Sequence, residues 1–473
     1  MISYHKFKCQ QPLNNIKNIP LPYFSDSSIY FEAVADCPWS FYLDSGIQSN
    51  TDINTLEKSR YDIIVSNPFI KIIADENGVS VEEGGIKNSS NANAFDILEE
   101  ILSRFKIQNT ILPFTGGAIG YFSYELSSIY SQYDNKDHVG MPLMMVGIYD
   151  WALIVDHKEK TTNLVSHFLN KDTEKSWIQL IENFKNIKLI NKNFKITSSV
   201  TSLLDFATYE IIIYKILAFI KAGDSYQINF SNKYHVECEG DSWTAYKKLR
   251  EINQSPFMAY FHHKDFDILC SSPERFIKSD GSHVETRPIK GTEPRDLNRM
   301  IDQENAQRLL NSEKDRAENL MIVDLLRNDL SKNCIPGSVI VKKLCELKSY
   351  SNVHHLESII EGTLNPHSSL IKLFKDSFPG GSITGTPKIR SMEIINEIEP
   401  HRRDIYCGSI GYIGFNHKMD TNIAIRTLIR KENNLHFYSG GGIVAQSDAK
   451  KEFAEMAYKA SNIMKWIQFF YKN

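Results

Sequence analysis

The sequence predicts a globular protein of the α+β class, in which strands and helices follow one another irregularly. Hydrophobic residues make up 42% of the chain and charged residues 23%, which is an ordinary globular composition. Short β-prone runs and segments of helical periodicity both occur, but they lack the regular strand–helix–strand order of a doubly wound parallel sheet. With 473 residues, the chain can bury a large core without disulfides or metals as staples.

The first half of the chain is predicted to be rich in strands. Residues 40–44, 61–65 and 150–155 are short runs of aromatic and β-branched residues, which favour extended backbone. Residues 95–105 have apolar side chains at helical spacing, so we expect one helix among these strands.

The second half mixes both types of element. Residues 209–221 and 303–328 have the periodicity of helices. Residues 267–270, 339–341 and 436–438 have the composition of strands. Between the halves, a segment rich in Lys and Asn that ends in small polar residues is interpreted as a connection, or equally well as a polar surface helix and its loop: it comprises residues 181–202.

Charge and cysteine usage exclude several classes of protein. Lys and Arg number 54 against 57 Asp and Glu, so the chain lacks the basic footprint of a nucleic-acid binder. The seven cysteines are scattered and none are spaced Cys-x-x-Cys, which argues against a disulfide scaffold and a zinc ribbon. A reduced, cytoplasmic protein is expected. Residues 1–15 do not resemble a signal peptide, and the most apolar stretch, 211–220, is too short to span a membrane.

Two glycine-rich segments invite a phosphate-binding interpretation that their details do not support. In residues 380–388 the second glycine is followed by Thr-Pro-Lys instead of the Lys-Ser or Lys-Thr of a P-loop. This loop could bind a carboxylate at the start of a helix, or it could be a plain turn. Residues 114–122 lack the context of a dinucleotide site, and close backbone packing is the better interpretation.

Acidic pairs at helical spacing are candidate metal ligands. Asp315 and Glu318 lie three residues apart, and Glu452 and Glu455 repeat that spacing. Two helices that each supply a pair of carboxylates could hold Mg²⁺ with several waters retained. The alternative is that both pairs are solvated surface charges.

Lys290 is a candidate nucleophile or base. Pro288 and Gly291 constrain the backbone on either side of it, and a desolvated lysine has a lowered pKa. A surface lysine is the alternative, since lysines are rarely buried. Glu274 is a candidate general acid by residue type, and His355 is either an acid–base group or a core histidine. The Gly-x-Ser-x-Gly motif of hydrolases is absent from the sequence.

Taken together, these segments resemble the chorismate-utilising enzymes, a family that includes anthranilate, isochorismate, salicylate and aminodeoxychorismate synthases. The matching segments occur in the family's order and cover about half of the chain. They are GDSYQINFS at 223–231, SPERF at 272–276, TRPIKGT at 286–292, DRAENLMIVDLLRND at 315–329, VHHLES at 353–358, FPGGSITGTPK at 378–388, IYCGSIGY at 405–412, DTNIAIRT at 420–427 and SGGGIVAQS at 439–447. In the first half, YLDSG at 42–46 and GGAIGYFSYE at 116–125 also match.

The resemblance implies the fold and its division along the chain. The expected fold is α/β in the broad sense, with two large antiparallel sheets packed around a core and helices outside. Residues 1–195 resemble the N-terminal region of anthranilate synthase component I, and residues 200–473 resemble the chorismate-binding catalytic region. Both regions are expected to share the sheets.

Two positions indicate a branch of the family. Isochorismate-type enzymes carry a lysine base where this chain has Gln227, so water is not expected to be the nucleophile. Anthranilate synthases usually have alanine where this chain has Lys290, and a lysine there is typical of the aminodeoxychorismate synthase branch. The resemblance therefore implies amination of chorismate at ring carbon 4, with ammonia as the nitrogen donor. Anthranilate synthase and a catalytically silent scaffold, which binds an amidotransferase or tryptophan, remain the alternatives.

The resemblance also implies roles for individual residues. Lys290 would be the covalent nucleophile, Glu274 the acid and His355 a group near the ring. Glu318 and Glu455 would bind Mg²⁺ directly, with Asp315 and Glu452 acting through water. The expected substrate-binding residues are Thr384, Gly385, Tyr406, Arg426, Gly440, Gly441, Gly442, Asn229 and Arg327.

A partner and a second pocket are implied as well. The chain has no glutaminase domain, so ammonia would come from solution or from a separate glutamine amidotransferase subunit. Ser45, with Pro256, Phe257 and Met258, resembles the tryptophan pocket of the family. Neither a nucleic acid nor a membrane is expected as a partner.

Overall fold

The computed structural model describes residues 16–47, 60–105, 110–127, 136–189, 191–350 and 353–472. Its strands are β1 Lys17–Leu21, β2 Ser40–Asp44, β3 Tyr61–Val65, β4 Ile70–Asp75, β5 Gly78–Glu83, β6 Ile86–Ser90, β7 Gly117–Phe122, β8 Met144–Tyr149, β9 Trp151–Asp156, β10 Thr161–Ser166, β11 Phe194–Ile196, β12 Thr201–Ser202, β13 Gln227–Gly240, β14 Phe257–His263, β15 Phe266–Ser272, β16 Arg275–Ser279, β17 His283–Arg287, β18 Ile289–Pro294, β19 Ile340–Ser349, β20 Val353–Thr363, β21 Gly385–Thr386, β22 Ser409–Gly414, β23 Met419–Asn422, β24 Thr427–Lys431 and β25 Asn434–Val444.

The α-helices are α1 Ser28–Phe31, α2 Ala94–Ser103, α3 Lys171–Lys185, α4 Phe206–Lys221, α5 Ser242–Ile252, α6 Arg299–Asn311, α7 Glu313–Ser331, α8 Leu370–Ser377, α9 Lys388–Ile398 and α10 Ala449–Lys472. Short 3₁₀ helices occur at Tyr124–Leu126 and Gly381–Ile383. Within the described ranges, no helix is both long and apolar enough to cross a membrane.

The strands form two large antiparallel sheets. In the described residues the first sheet has 13 strands, in the order β1-β10-β9-β3-β2-β14-β15-β24-β25-β13-β11, with β12 and β21 also paired to β13. The second has 12 strands, in the order β18-β20-β17-β16-β23-β22-β7-β8-β4-β5-β6, with β19 paired to β20. This confirms the α+β class and the pair of antiparallel sheets.

Both sheets contain strands from both halves of the chain. In the first sheet β2 pairs with β14, and in the second β7 pairs with β22. The sequence boundary near residue 200 therefore does not separate two sheets. The predicted connection contains the end of α3 and the short strands β11 and β12, which pair with β13.

Alternating side chains place the first sheet between two cores. Phe41 belongs to a core shared with the second sheet, where it stacks on Phe261 with ring centroids 4.0 Å apart. Its neighbour Tyr42 belongs to a second core, which includes residues of α1, α5 and α10. Successive strand residues point to opposite faces, so the continuous apolar runs of this sheet are explained by burial on both sides.

Most predicted elements are confirmed, and one is wrong. Strands β2 and β3 have the predicted bounds, and α2 and α4 cover most of their predicted segments. The single helix predicted over 303–328 is instead two helices that meet at Ser312. The Ser312 hydroxyl accepts a hydrogen bond from the amide of Asp315 at 3.2 Å. A serine cap of this kind starts a new helix, and hydrophobic periodicity alone does not reveal it.

Candidate active site

Lys290 lies on β18, at the edge of the second sheet. Its ammonium group donates a hydrogen bond to the backbone carbonyl of Ser382 at 3.3 Å. Burial lowers the pKa of this lysine, although the negative charge of Glu318 opposes the shift, and the positive charge of Lys459 adds to it. A lysine with a lowered pKa presents more neutral amine near neutral pH, which is the form that attacks an electrophile.

Gly291 allows the backbone to turn directly after the lysine. Its φ of +71° lies in the left-handed region, and the pairing of β18 with β20 shifts register between Lys290 and Thr292. A Cβ at Gly291 would lie 2.7 Å from Leu309 and 3.1 Å from the carboxyl group of Asp315. The glycine therefore lets β18 approach the start of α7, where the predicted acids begin.

Glu274 is a buried carboxyl group next to the same loop. Burial raises its pKa to about 7, although the neighbouring side chain of Ser382 and the positive charge of Lys290 lower it. A carboxyl group with this pKa holds its proton close to neutral pH and can act as a general acid. Ser382 thus contacts both Glu274 and Lys290, and the sequence analysis did not select it.

The segment that carries Ser382 forms the floor of the site. The Thr384 hydroxyl donates to the carbonyls of Gly380 and Gly381, each at 3.2 Å, which closes the turn on itself. Gly385 has a φ of +155°, and a Cβ there would lie 2.1 Å from the carbonyl oxygen of Gln227. A side chain at 385 would force this segment away from β13.

Strands β13 and β25 bring polar side chains and glycines to the floor. The register places Asn229 opposite Gly442, Phe230 opposite Gly441 and Ser231 opposite Gly440. A Cβ at Gly442 would lie 2.9 Å from the Gln227 side chain.

Two buried side chains on β13 have polar atoms without partners. The amide nitrogen and oxygen of Gln227 and the side-chain oxygen of Asn229 make no hydrogen bond in the described structure. Buried polar atoms are normally satisfied, so these atoms are available to a polar ligand. From the sequence, Gln227 indicated only that the lysine base of isochorismate-type enzymes is absent at this position.

The four predicted acids lie on α7 and α10, which bound the site on the other side. Burial raises the pKa of Glu318, and the nearby charges of Asp315 and Glu455 add to that shift, against Lys290 and Lys314. Glu452 is buried and accepts a hydrogen bond from the Ser447 hydroxyl at 2.7 Å. Acids of the two helices therefore interact electrostatically, which the spacing along each helix alone does not show.

Lysines are placed among these acids. The ammonium of Lys314 lies 3.4 Å from Glu452 and 3.8 Å from Glu318, and so joins the two helices. The ammonium of Lys459 lies 2.8 Å from Glu455 and donates to the carbonyl of Gly440 at 3.2 Å. Lys459 is a second residue that the sequence analysis missed, although its position four residues after Glu455 on one helix was a usable signal.

The carboxylate oxygens of the four acids on α7 and α10 are chemically suitable ligands for Mg²⁺. Among the described residues, no three His, Cys, Asp or Glu side chains stand close enough together to form a preformed metal cluster. The acids nevertheless offer only oxygen ligands, and Lys314 already places a positive charge between Glu318 and Glu452. Mg²⁺ keeps several waters and takes few protein ligands, so a loose set of carboxylates is compatible with it.

Arg426 faces the Lys290 and Glu274 side of the site. Its φ of +53° is unusual for a residue other than glycine, and its carbonyl accepts hydrogen bonds from the amide and hydroxyl of Ser271 at 3.1 and 3.0 Å. Burial lowers the pKa of Arg426, while the charges of Tyr458 and Glu274 oppose the shift. The backbone held in this way keeps the guanidinium within the electrostatic influence of Glu274.

Tyr406 and His355 are buried and held by neighbours. The Tyr406 ring stacks on Tyr438 with centroids 5.3 Å apart. His355 lies opposite Thr292, whose hydroxyl is 2.9 Å from the histidine Nδ1.

Arg327 differs from Tyr406 and His355, because it is exposed and forms an ion pair with Asp324, three residues before it on α7, at 3.1 Å. Within the described ranges, Arg327 forms no hydrogen bond or ion pair with the other predicted site residues.

A cavity of about 710 Å³ lies elsewhere between the sheets. It is lined by Ser45 from the segment after β2 and by Pro256, Phe257 and Met258 at the start of β14. The structure thus brings together the four residues that the sequence analysis grouped as a second pocket.

Fold and site define an enzyme with two antiparallel sheets, a half-buried lysine that interacts electrostatically with a buried carboxylic acid, and acids on two flanking helices. The chain belongs to the chorismate binding enzyme family, whose model matches residues 49–465. This confirms the family expected from the sequence segments.

Similar proteins include members with two different names. Aminodeoxychorismate synthase component 1 of Escherichia coli strain K12 is 38% identical over 447 residues, covering 93% of this chain and 96% of that protein. Anthranilate synthase component 1 of Acetivibrio thermocellus is 32% identical over 431 residues, covering 87% of each chain. The crystal structure of anthranilate synthase component I from Streptococcus pneumoniae TIGR4 has a TM-score of 0.76 at 30% identity, covering 85% of this chain and 92% of that chain.

The raised pKa of Glu274 predicts an unusual effect on stability. A carboxyl group whose pKa rises on folding contributes its stability below pH 4.5 and loses it as the pH rises to about 7. Glu274→Gln should therefore be more stable than the wild type at pH 8, by up to about 3 kcal/mol, and the gain should vanish near pH 4. Urea unfolding as a function of pH measures this difference.

Glu285 provides a matched control of opposite sign. Burial alone would raise its pKa, but Arg287 and Arg275 outweigh burial and lower the pKa to about 2. Glu285→Gln should be less stable than the wild type at pH 8, with the gap closing at low pH. Equal pH dependence of the two variants would contradict the environment described for Glu274.

Proposed function

We propose that this chain aminates chorismate at ring carbon 4, producing 4-amino-4-deoxychorismate as a precursor of 4-aminobenzoate and folate. The observation that carries the proposal is the pairing of a half-buried lysine, Lys290, with a buried acid, Glu274, around the shared residue Ser382. Similarity to aminodeoxychorismate synthase component 1 over most of both chains supports it.

The proposed reaction proceeds in two substitutions. The neutral amine of Lys290 forms a bond to ring carbon 2, the ring double bonds shift, and the carbon 4–oxygen bond breaks. Glu274 gives its proton to the departing hydroxyl, which leaves as water, and the lysine nitrogen later loses its extra proton. Ammonia then forms a bond to carbon 4, the double bonds shift back, and the bond between carbon 2 and the lysine nitrogen breaks. The extra proton of the new ammonium group passes to the lysine nitrogen, which leaves as the neutral amine. Splitting a difficult substitution in this way is the advantage of a covalent nucleophile.

The carboxylates of the substrate are assigned to charged and polar residues around Lys290 and Glu274. Arg426 would hold the enolpyruvyl carboxylate, which a guanidinium can do with two parallel hydrogen bonds, and the buried Tyr406 would support it. Gly441 has no side chain, and a Cβ there would lie 3.4 Å from the ammonium of Lys459. The glycine thereby leaves room for a ligand between β25 and α10.

Mg²⁺ is the proposed metal. Glu318 and Glu455 would be its direct ligands, and Asp315 and Glu452 would act through water. When bound, the ion would neutralise the charge of the ring carboxylate. This chain's lysines already balance part of the negative charge at the same place, through Lys314 and Lys459.

Ammonia is proposed to come from a separate glutamine amidotransferase subunit. The similar proteins from Escherichia coli and other bacteria are named component 1, a name that implies a further component. Cytoplasmic location is part of the same proposal.

Anthranilate synthesis is the second candidate, since the chain is also 32% identical to an anthranilate synthase component 1. The two candidates differ in the role of Lys290. In the amination at carbon 4 this lysine forms a bond to the ring, whereas the anthranilate reaction does not use it. A silent scaffold is disfavoured by the complete set of Lys290, Glu274 and the four acids.

The cavity between the sheets is proposed to hold tryptophan. Phe257, Met258 and Tyr61 offer apolar surface for an indole ring, while Ser45 and Lys158 offer polar groups for the amino-acid end. Calorimetric titration should show binding of L-tryptophan, or denaturing extraction should release it from the purified protein. Absence of both signals would contradict this proposal.

A product assay tests the main proposal. Protein, chorismate, Mg²⁺ and an ammonium salt at alkaline pH should give a product one mass unit lighter than chorismate, detected by mass spectrometry. Lys290→Ala should lose both this product and a covalent adduct visible in the intact mass when ammonia is withheld. Lys342→Ala, an exposed lysine paired with Glu361, should retain both.

Other outcomes of this assay have definite meanings. Anthranilate with pyruvate as the products would assign the chain to the sister reaction. Unchanged adduct and rate in Lys290→Ala would refute the lysine mechanism.

Loss of one carboxylate charge tests the metal assignment. Glu455→Gln should weaken Mg²⁺ binding to the free protein more than tenfold, because the variant lacks a charged oxygen ligand that Mg²⁺ prefers. Calorimetry on the protein without chorismate measures this, and activity should fall in parallel. Glu304→Gln, an exposed acid on α6, is the control. Full activity and wild-type affinity in Glu455→Gln would show that this residue is not a ligand.

A further inference from the structure

Arg403 is a buried arginine outside the predicted site. Only 1% of its side chain is exposed, and its guanidinium forms two parallel hydrogen bonds with Glu399, at 2.9 Å from Nε and 2.8 Å from Nη2. Glu399 is 2% exposed. A bidentate pair in this environment has a fixed geometry, since neither charge can turn toward water.

The same guanidinium also binds two backbone carbonyls. Nη1 donates to the carbonyl of Ile383 and Nη2 donates to the carbonyl of Asn229, both at 2.9 Å. Ile383 ends the short 3₁₀ helix Gly381–Ile383, and Asn229 belongs to β13. One side chain therefore joins the two segments that form the floor of the site.

Glu399 adds a further link to the same strand. One of its oxygens accepts hydrogen bonds from the amide and the hydroxyl of Ser231, both at 2.8 Å. The amide of Asn229 donates to the carbonyl of Thr384 at 2.7 Å, which ties the next residue of the loop to β13. The loop and the strand are thus held by a network that converges on Arg403.

The loop in turn holds the two groups that the proposed reaction needs. Ser382 directly precedes Ile383, its carbonyl accepts the hydrogen bond of Lys290, and its side chain is near enough to Glu274 to lower the pKa of that carboxyl group. A displacement of Ile383 would move Ser382 and change the distance between the amine and the acid. Displacements of about 1 Å at such a distance can cost a hundredfold in rate.

We propose that Arg403 is a positioning residue, which fixes the Gly381–Ile383 turn against β13 and so holds Ser382 between Lys290 and Glu274. Arg403 itself contacts none of the reacting atoms. Its catalytic consequence rests on the proposed function, whereas its effect on the turn does not.

Lysine cannot replace this arginine. A lysine at 403 would keep the positive charge opposite Glu399, but an ammonium is a point donor and lacks the planar fork that reaches two carbonyls and a carboxylate together. Arg403→Lys therefore separates the charge of the residue from its geometry.

The experiment compares amide hydrogen exchange and steady-state kinetics for wild type, Arg403→Lys and a control. In Arg403→Lys, exchange of the amides in 381–386 and 227–231 should accelerate at least tenfold, with little change in β4 and β8. The kcat should fall about 10- to 100-fold with less than a threefold change in KM, because Arg426 and α10 are assigned the substrate charges.

Arg250→Lys is the matched control. Arg250 is likewise buried and forms ion pairs with Asp44 at 2.5 Å and Asp26 at 2.7 Å, but its hydrogen bonds do not reach the 381–386 loop. It should lower the melting temperature without accelerating exchange in 381–386. This separates a local role of Arg403 from a general loss of stability.

Wild-type exchange and kcat in folded Arg403→Lys would overturn the proposal. If that variant does not fold, Glu399→Gln replaces it, since it keeps Arg403 and weakens the hydrogen bonds that residue 399 makes with the guanidinium and with Ser231. A smaller acceleration confined to the same amides is expected there, and none would also overturn the proposal. Hydrogen exchange needs no chorismate, so a protein that fails the product assay still tests Arg403.

Discussion

The long pairing of β13 with β25 is the constraint on which the site depends. Strand β13 has 14 residues, and the register runs without a break from Gln227 opposite Val444 to Glu237 opposite Asn434. This ladder sets Asn229 opposite Gly442 and brings the Gln227 side chain close to the same glycine, and its end also pairs with β21. Backbone hydrogen bonds fix the positions of the paired strands, so the register of β13 and β25 determines where each side chain on this surface lies.

Burial then gives the site its chemistry. The same loss of water lowers the pKa of Lys290 and raises that of Glu274 to about 7, because each group is disfavoured in its charged form. The two groups are thereby brought closer to the neutral amine and the protonated acid. The positive charges of Lys314 and Lys459 offset part of the negative charge of the acids on α7 and α10. Charges of both signs therefore surround Lys290 and Glu274.

Two positively charged side chains, Arg403 and Lys388, hold the glycine-rich loop of residues 378–388 in place. Arg403 binds the carbonyl at its centre, and Lys388 binds the carbonyls of Ser377 and Pro379 at 2.8 and 2.9 Å near its start. Lys388 is paired with Asp329 at 2.5 Å, at the end of α7. A glycine-rich loop has little side-chain packing of its own, and these charged hydrogen bonds supply the missing order.

The sequence by itself determined the family, the α+β class and most of the elements. Local composition was enough to predict β2 and β3, and the order of the matching segments was enough to select Lys290, Glu274 and the acids as candidates, since each of these is recognised from its neighbours along the chain. The break at Ser312 was missed because a cap is a hydrogen bond of one side chain, which periodicity does not record. Only the tertiary structure decided which distant residues meet: it placed Ser382, Gln227, Lys459 and Arg403 at the site and left Arg327 on the surface. The physical reason is that these contacts are made across sheets and loops far apart in sequence, and burial, which sets their pKa values and strengths, exists only in the folded chain.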